Sequence, residues 1–439
     1  MSSDQRFKLF SDPVHGFISV PKNLIMDLIQ TPEVQRLRRI RQLGVGHLVF
    51  PGAEHTRFNH ALGAMALMQD ALTNLSEKGT PISPEERTAA LAAALLHDVG
   101  HGAFSHTLEH QLIDNFQHEE MSRAILLHLN EQMDGALDRA LAIFDDTYER
   151  PFFHQLVSSQ LDMDRLDYLR RDSFYTGVAE GEVGVQRLLK TMRVYPLAGG
   201  PDAEIMVEGK GIYAVENFLI SRRLMYWQVY MHKTVLAGDE LLRALLHRAA
   251  THLDGPGSGP DWLHHGSRPL LFFLSHDIQA DQITDDPIRR RYCQIDDTDL
   301  LFSAKQWMRQ DNDPVLADLS RRFINRDFFR VTFVPQTPSA SQFDSWRHQV
   351  ADWLVNQGLV ARGEAWAAAR HYLTLGASRH TAYDSHEEMI DILGRDGTVQ
   401  ELSEMADTAA ISELTQFVEK PYVCFPKPVD LDVDARPTA

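Results

Sequence analysis

The chain has 439 residues, 44% hydrophobic and 24% charged, an ordinary globular balance that suits one large domain with a smaller lobe. Its 61 acidic and 43 basic side chains leave a formal charge of −18, which argues against broad contact with nucleic acid or an anionic membrane, though not against a small polyanion in a locally basic pocket. Only two cysteines occur, Cys293 and Cys424, which excludes a disulfide framework or a cysteine zinc site; with no apolar leader and no run of roughly 18 apolar residues, the expected location is the cytoplasm.

In chain order, residues 1–21 carry turn signals (Ser11-Asp12-Pro13, Gly16, Pro21) around a short apolar run and predict an extended arm or hairpin. Helical periodicity then dominates to about residue 250. Leu24, Ile25, Leu28 and Ile29 mark one helix, and Thr31-Pro32-Glu33 starts another. An amphipathic stretch runs from Asn59 to Leu75. Ser83-Pro84-Glu85-Glu86 supplies an N-cap, a proline at the first position and acids in the first turn ahead of a mostly buried helix. Residues 119–130, 153–172 and 212–250 are further predicted helices, interrupted by a hairpin at about 192–210 whose turn signal is Gly199-Gly200-Pro201. The glycine- and proline-rich run from Gly255 to Pro260 reads as a loop or linker. Beyond it, helices are expected near 299–325 and 341–357, with strands at Phe328–Val334, Tyr372–Leu375, Ile390–Leu393 and Tyr422–Phe425 and a turn at Asp396-Gly397. The expected fold class is mainly α: a helical catalytic body with its N-terminal arm over residues 1–254, a linker or loop over 255–268, and a smaller α+β C-terminal lobe over 269–439.

The 21 histidines are the unusual count, and several crowd between His97 and His118. An apolar helix delivers adjacent His97 and Asp98 at its end, followed by His101 and His106 among glycines. Neighbouring helical residues point about 100° apart, so both reach one ion only at a helix terminus or a seam. A neutral nitrogen beside an anionic oxygen suits Fe, Mn, Ni, Zn or Mg. The bland alternative is a buried histidine next to a solvent-facing aspartate. Upstream, His60 opens the amphipathic stretch. Downstream, Asp164, Tyr168 and Asp172 recur at i, i+4 and i+8 with Arg165 and Arg171 nearby, a wet helical face that could equally be a solvated, ion-paired surface.

Taken together, these strings resemble the HD-domain deoxynucleoside triphosphate triphosphohydrolases, of the type that in vertebrates also carries a sterile-alpha-motif domain. The matching segments are Asp12-Pro13-Val14-His15-Gly16, Gln35 to Gly44, Val49 to Ala53, Arg57-Phe58-Asn59-His60, His97-Asp98-Val99-Gly100-His101-Gly102 with Phe104-Ser105-His106, and Asp162 to Tyr168, in family order over about residues 8–250. No sterile-alpha-motif segment precedes them, so the shorter, bacterial-style architecture is expected.

The resemblance implies a divalent metal held by His60, His97, Asp98 and Asp164, its identity open, with an additional Mg accompanying the nucleotide as a further option. It implies His106 as proton donor to the leaving oxygen, supported by His101, His118 and Glu109, the last standing where the family more often has aspartate. Arg57, Arg165 and Arg222 would contact phosphates; Gln42, Leu43, Tyr168, Asp172 and Tyr230 would contact sugar and base. Lys8, Gln35 and Arg38 match an activating-nucleotide site between subunits of a dimer or tetramer, while Gln30 and Ser11 depart from that site's pattern. The expected partners are deoxynucleoside triphosphates and copies of the same chain, with no membrane and with nucleic acid disfavoured. Two alternatives stand beside this one: an HD phosphohydrolase acting on another nucleotide phosphate ester, distinguished by its products, and a non-catalytic nucleotide or single-stranded nucleic-acid binder, distinguished by salt-sensitive binding without turnover.

Overall fold

A computed structural model describes residues 7–107, 112–113, 115–196, 200–201, 203–381, 383, 389–405, 414–415 and 417–433. The N-terminal arm is a hairpin, β1 (Phe7–Asp12) with β2 (Gly16–Pro21), turning at Gly16 with φ 75°. The helical body follows: α1 (Leu24–Gln30), α2 (Pro32–Arg36), α3 (Arg57–Glu77), α4 (Pro84–Leu96), α5 (His118–Gln132), α6 (Asp138–Phe144), α7 (Phe152–Val157), α8 (Met163–Thr176) and α9 (Val185–Thr191), then the hairpin strands β3 (Met192–Tyr195) and β4 (Glu204–Glu208), and helices α10 (Ile212–Met225) and α11 (Lys233–Ala250). The C-terminal part adds α12 (Arg268–Ser275), α13 (Asp286–Tyr292), α14 (Asp297–Trp307), α15 (Pro314–Ile324), β5 (Arg330–Phe333), α16 (Ala340–Asn356), α17 (Ala365–Ala369), β6 (Thr374–His380), β7 (Asp391–Leu393), β8 (Val399–Glu401), α18 (Leu402–Met405) and β9 (Val418–Phe425). Among the described residues no helix is long and apolar enough to cross a membrane. The protein is mainly α, a helical body with a smaller α+β part.

Local chemistry explains the elements that carry the site. Ser83 caps α4 reciprocally with Glu86, the Ser83 hydroxyl accepting from the Glu86 N–H (3.1 Å) and the Glu86 carboxylate from the Ser83 N–H (2.8 Å), with Pro84 at the first position as expected. Every residue of α4 from Ala89 to Leu96 is buried, so this helix runs through the core between α3 and the elements beyond it. α3 packs on both α4 and α8, and Gly63 allows the second approach: a Cβ there would lie 1.9 Å from Asp167 Oδ1.

The structure departs from the expected elements where polar caps override periodicity. The stretch 153–172 is two helices rather than one, because Asp162 caps α8 by accepting the Arg165 N–H (2.6 Å) while its other oxygen takes the Ser159 N–H (2.9 Å). The stretch 212–250 is also broken. A π-turn over Tyr226–Tyr230 bonds the Met231 N–H to the Tyr226 carbonyl (2.8 Å), and His232 then caps α11. Helices α12 and α13 went unforeseen, being short and flanked by irregular chain. The 192–210 hairpin is present, although Gly199 of its turn signal lies outside the described residues. The C-terminal strands fall near their expected places in the order β5-β9-β6. β7 runs parallel to β4 (Val207 opposite Ile392), extending the body's hairpin into a sheet ordered β3-β4-β7-β8.

Candidate active site

His97 forms the C-terminal cap of α4 and donates its Nδ1 hydrogen to the Ala94 carbonyl (2.8 Å). His60, in the first turn of α3 and wholly buried, donates its Nδ1 hydrogen to Asp167 on α8 (2.8 Å). When the ring is neutral, each bond fixes a tautomer that turns the Nε2 lone pair inward. Both Nε2 atoms are buried without a hydrogen-bond partner, a costly arrangement unless an acceptor of lone pairs, such as a cation, sits between them. Two carboxylates face them. Asp164 Oδ1 is 2.9 Å from His60 Nε2 and 3.3 Å from His97 Nε2, while Asp98 stands 3.7 and 3.5 Å from the same atoms. Ligand atoms of all four residues lie within 4.8 Å of one another. The donor set and its orphaned nitrogens fit one divalent ion.

Electrostatics agree with that fit. Burial works against protonating His60, yet Asp164 and Asp167 outweigh it and hold the imidazole protonated up to about 10; Asp98 and Asp164 likewise raise His97 to about 9. Burial opposes ionisation of Asp98 and Asp164, but His97, His101 and Arg57 around the first, and His60 and His97 around the second, keep both carboxylates ionised. Without an ion the cluster retains protons; an ion replaces that positive charge and releases them.

A surrounding shell orients the ligands. Asp167 accepts from His60, from His15 of the arm (2.6 Å) and from Arg171 (2.8 and 3.0 Å), and Arg171 also donates to Asp12 (2.8 Å). The arm's Asp12-Pro13-Val14-His15 string is therefore a strut behind the ligands. Asp167, His15 and Arg171 received no role from the sequence; the available signal was two carboxylates, Asp164 and Asp167, three residues apart on one helix.

On the other side of Asp98, Arg57 donates to Oδ2 (2.6 Å) and to the Ser105 hydroxyl (2.9 Å). His101 Nε2 lies 3.5 Å and His118 Nε2 3.8 Å from Asp98 Oδ1, and the two rings stack with centroids 3.6 Å apart. Gly100 makes the stacking feasible, since a Cβ there would strike the α5 backbone, 2.2 Å from the Ser122 nitrogen and 2.3 Å from the His118 carbonyl. Burial and the Arg57 guanidinium push His101 well below the ordinary histidine value, so it is neutral. His106 lies in a 3₁₀ turn (Ser105–Thr107), but its side chain, like all of Glu109, falls outside the described residues.

A cavity of about 850 Å³ opens beside Arg57 and gathers Gln42, Leu43, Tyr168, Asp172 and Tyr230 in its wall. Asp172 accepts from His55 (2.7 Å) and from the Tyr230 hydroxyl (2.8 Å), and Tyr168 meets Tyr230 edge to face. The π-turn delivers Tyr230 to this position. Burial and Asp172 drive the Tyr230 phenol well above its ordinary value, so it stays a donor. Arg165, bonded to Asp162 (2.9 Å), and Arg222, bonded to Gln160 (2.9 Å), lie close enough to act on Tyr168 but do not line the cavity. Its far side includes Asp239 and Arg243 of α11, Arg379 of β6 and Tyr422 of β9, which the sequence reading did not single out. Gln35 and Arg38 are joined (3.0 Å), with the Arg38 guanidinium 3.6 Å over the Phe58 ring, while Lys8 sits on β1 against Phe10.

Comparison with known proteins places this arrangement. Residues 57–169 match the HD domain and residues 183–254 the HD associated region. The protein YwfO of Bacillus subtilis is 34% identical over 448 residues, covering 98% of this chain and 95% of its own length. The deoxynucleoside triphosphate triphosphohydrolase SAMHD1 of Danio rerio is 28% identical over 58% of this chain, which spans about half (47%) of that relative. A crystal structure of a phosphohydrolase from Bacteroides thetaiotaomicron is 40% identical, covers 96% of this chain and all of its own, and superposes with a TM-score of 0.87. A crystal structure of a hypothetical protein from Aquifex aeolicus, 23% identical over 96% of this chain and 97% of its own with a TM-score of 0.67, shares the fold. The chain belongs to a family of HD-domain phosphohydrolases.

Proposed function

We propose that this phosphohydrolase cleaves deoxynucleoside triphosphates to deoxynucleoside and inorganic triphosphate. The carrying observation is the juxtaposition of the four-residue ion cluster with the 850 Å³ cavity through Arg57, which touches Asp98 and lines the cavity. His60, His97, Asp98 and Asp164 would hold the ion. When bound, such an ion lowers the pKa of coordinated water and polarises a phosphoryl oxygen.

The chain's own residues supply the rest. Arg57, with Arg165 and Arg222 nearby, neutralises the phosphates that a chain of net charge −18 would otherwise repel. Tyr168, Asp172 and Tyr230 form the sugar subsite, where the Tyr230 hydroxyl, tied to Asp172, closes the space a ribose 2′-hydroxyl would need; Gln42 and Leu43 face the base. Water gives up a proton to solvent as its oxygen bonds to the α-phosphorus, the bond to the 5′ oxygen breaks, and His106 gives its own proton to that oxygen. Neutral His101, stacked on His118, and Glu109 support the donor. Lys8, Gln35 and Arg38 form a nucleotide-responsive contact between copies of the chain in a dimer or tetramer.

Chromatography of products from each deoxynucleoside triphosphate, with and without dGTP and with Mg, Mn or Fe, tests the reading. Deoxynucleoside and intact triphosphate are expected. Release of phosphate or pyrophosphate instead would overturn it.

A further inference from the structure

The loop after α11 and the helices α12 and α13 line a second, solvent-open cavity of about 460 Å³, with Arg268 and Arg291 exposed at its wall, and it shares no lining residue with the first. Its wall holds Arg268, Arg291, His264 and His276 and no carboxylate. In a chain with 18 more acidic than basic side chains, a wall that holds two arginines and no carboxylate is unexpected from composition.

Placement of the two arginines sharpens the point. Arg289 and Arg290, preceding Arg291 on α13, both pair with Asp286. Arg291 instead lies with its guanidinium 4.0 Å over the Phe272 ring, which steers the group without neutralising it. His276 packs on the same ring at 3.9 Å and donates its Nδ1 hydrogen to the Phe272 carbonyl (2.7 Å), fixing the imidazole. Arg268 is the first residue of α12, where the helix dipole already favours an anion. Among the described residues no carboxylate lies within ion-pair reach of Arg268 or Arg291.

We propose that this cavity binds a chain of phosphoryl groups, as carried by inorganic triphosphate or by a nucleoside triphosphate. Forked guanidiniums match phosphate oxygens in pairs, and one polyanion can engage both arginines of the wall at once. The volume lies within the span of ligand pockets, roughly 300–1,000 Å³, and is more than a lone phosphate fills. The site is separate from the ion cluster, so it stands whatever ester that cluster cleaves.

Calorimetric titration of inorganic triphosphate into the full chain in EDTA tests this, with Arg268→Ala/Arg291→Ala against the exposed control pair Arg309→Ala/Arg395→Ala. The first variant is expected to lose one class of sites, or weaken it at least tenfold, while retaining wild-type turnover of deoxynucleoside triphosphates; the control should titrate like wild type. Titrating dGTP alongside separates the sources: equal affinity identifies the phosphate chain as the whole ligand, and tighter binding of dGTP that Arg268→Ala/Arg291→Ala abolishes adds the nucleoside. Unchanged triphosphate binding in that variant, an equal loss in the control, or capture of a single-stranded deoxyoligonucleotide but not of triphosphate would overturn the proposal.

Discussion

At the scale of single residues, the distinction that matters is between groups that would touch an ion and groups that hold those groups still. His97 and Asp98 stood out in the sequence because ligand chemistry restricts such sites to a few residue types and histidine density singles out their region, whereas His60 and Asp164 joined them only through the family resemblance. Asp167 was not. Its role exists only through contacts with His60 and His15, which lie 107 and 152 residues away, and no local pattern encodes those distances. Replacing such an outer partner typically costs about 10–100-fold in metal affinity or activity. Asp167→Asn is accordingly expected to bind the ion roughly 10–100-fold more weakly in a chelator competition, and wild-type retention of metal would refute this strut. At the other end of the site, Tyr230→Ala should raise the ratio of ribonucleotide to deoxyribonucleotide turnover by on the order of tenfold, the lower end of what a missing pocket contact gives. An unchanged ratio would place sugar selection elsewhere.

At the scale of elements, periodicity located α3, α4 and α11, whose buried faces are long. It missed the breaks at 158–162 and 226–230, where a capping aspartate and a π-turn interrupt apolar spacing that would otherwise continue. Both breaks serve the site: the first starts α8 just ahead of Asp164, and the second aims Tyr230 at Asp172. The contact of α3 with α8 depends on Gly63, where a methyl group would meet Asp167 and, at 2.4 Å, Arg171. Gly63→Ala is expected to destabilise the fold by about 1–3 kcal/mol, as overpacking does, and to weaken ion retention because Asp167 is the group displaced. A urea midpoint and metal content both equal to wild type would contradict this account of the helix crossing.

For the whole molecule, the C-terminal part completes the site instead of merely packing beside it. Its strands β6 and β9 contribute Arg379 and Tyr422 to the large cavity. Its helix α14 contributes Asp297, 1% exposed, which accepts the Phe104 N–H (2.9 Å) and the Arg41 N–H (3.0 Å). Phe104 and Ser105 both have positive φ, 51° and 52°, so Asp297 pins a strained turn next to His106. Nothing in the sequence reading foresaw this, since the pairing spans 193 residues. Burial pushes the Asp297 carboxyl up to about 6 against its hydrogen bonds. The folded state therefore holds this proton more tightly than the unfolded chain does. The stability it contributes is complete below about pH 4 and is lost as pH rises through about 6, on the order of 3 kcal/mol in all. Asp297→Asn should consequently gain on wild type in unfolding free energy between pH 4 and 6, while its kcat falls as the turn loosens. Parallel stability profiles, or unaltered kcat, would remove Asp297 from this role.

The central claim is that two imidazoles and two carboxylates from α3, the end of α4 and α8 share one cation. Elemental analysis of purified, reconstituted protein beside His60→Ala and His97→Ala tests it most directly. One tightly held divalent ion per chain in the wild type, and less than a tenth of an equivalent in either variant, is the predicted result. A wild-type chain that holds no ion, or variants that keep a full equivalent, would contradict it.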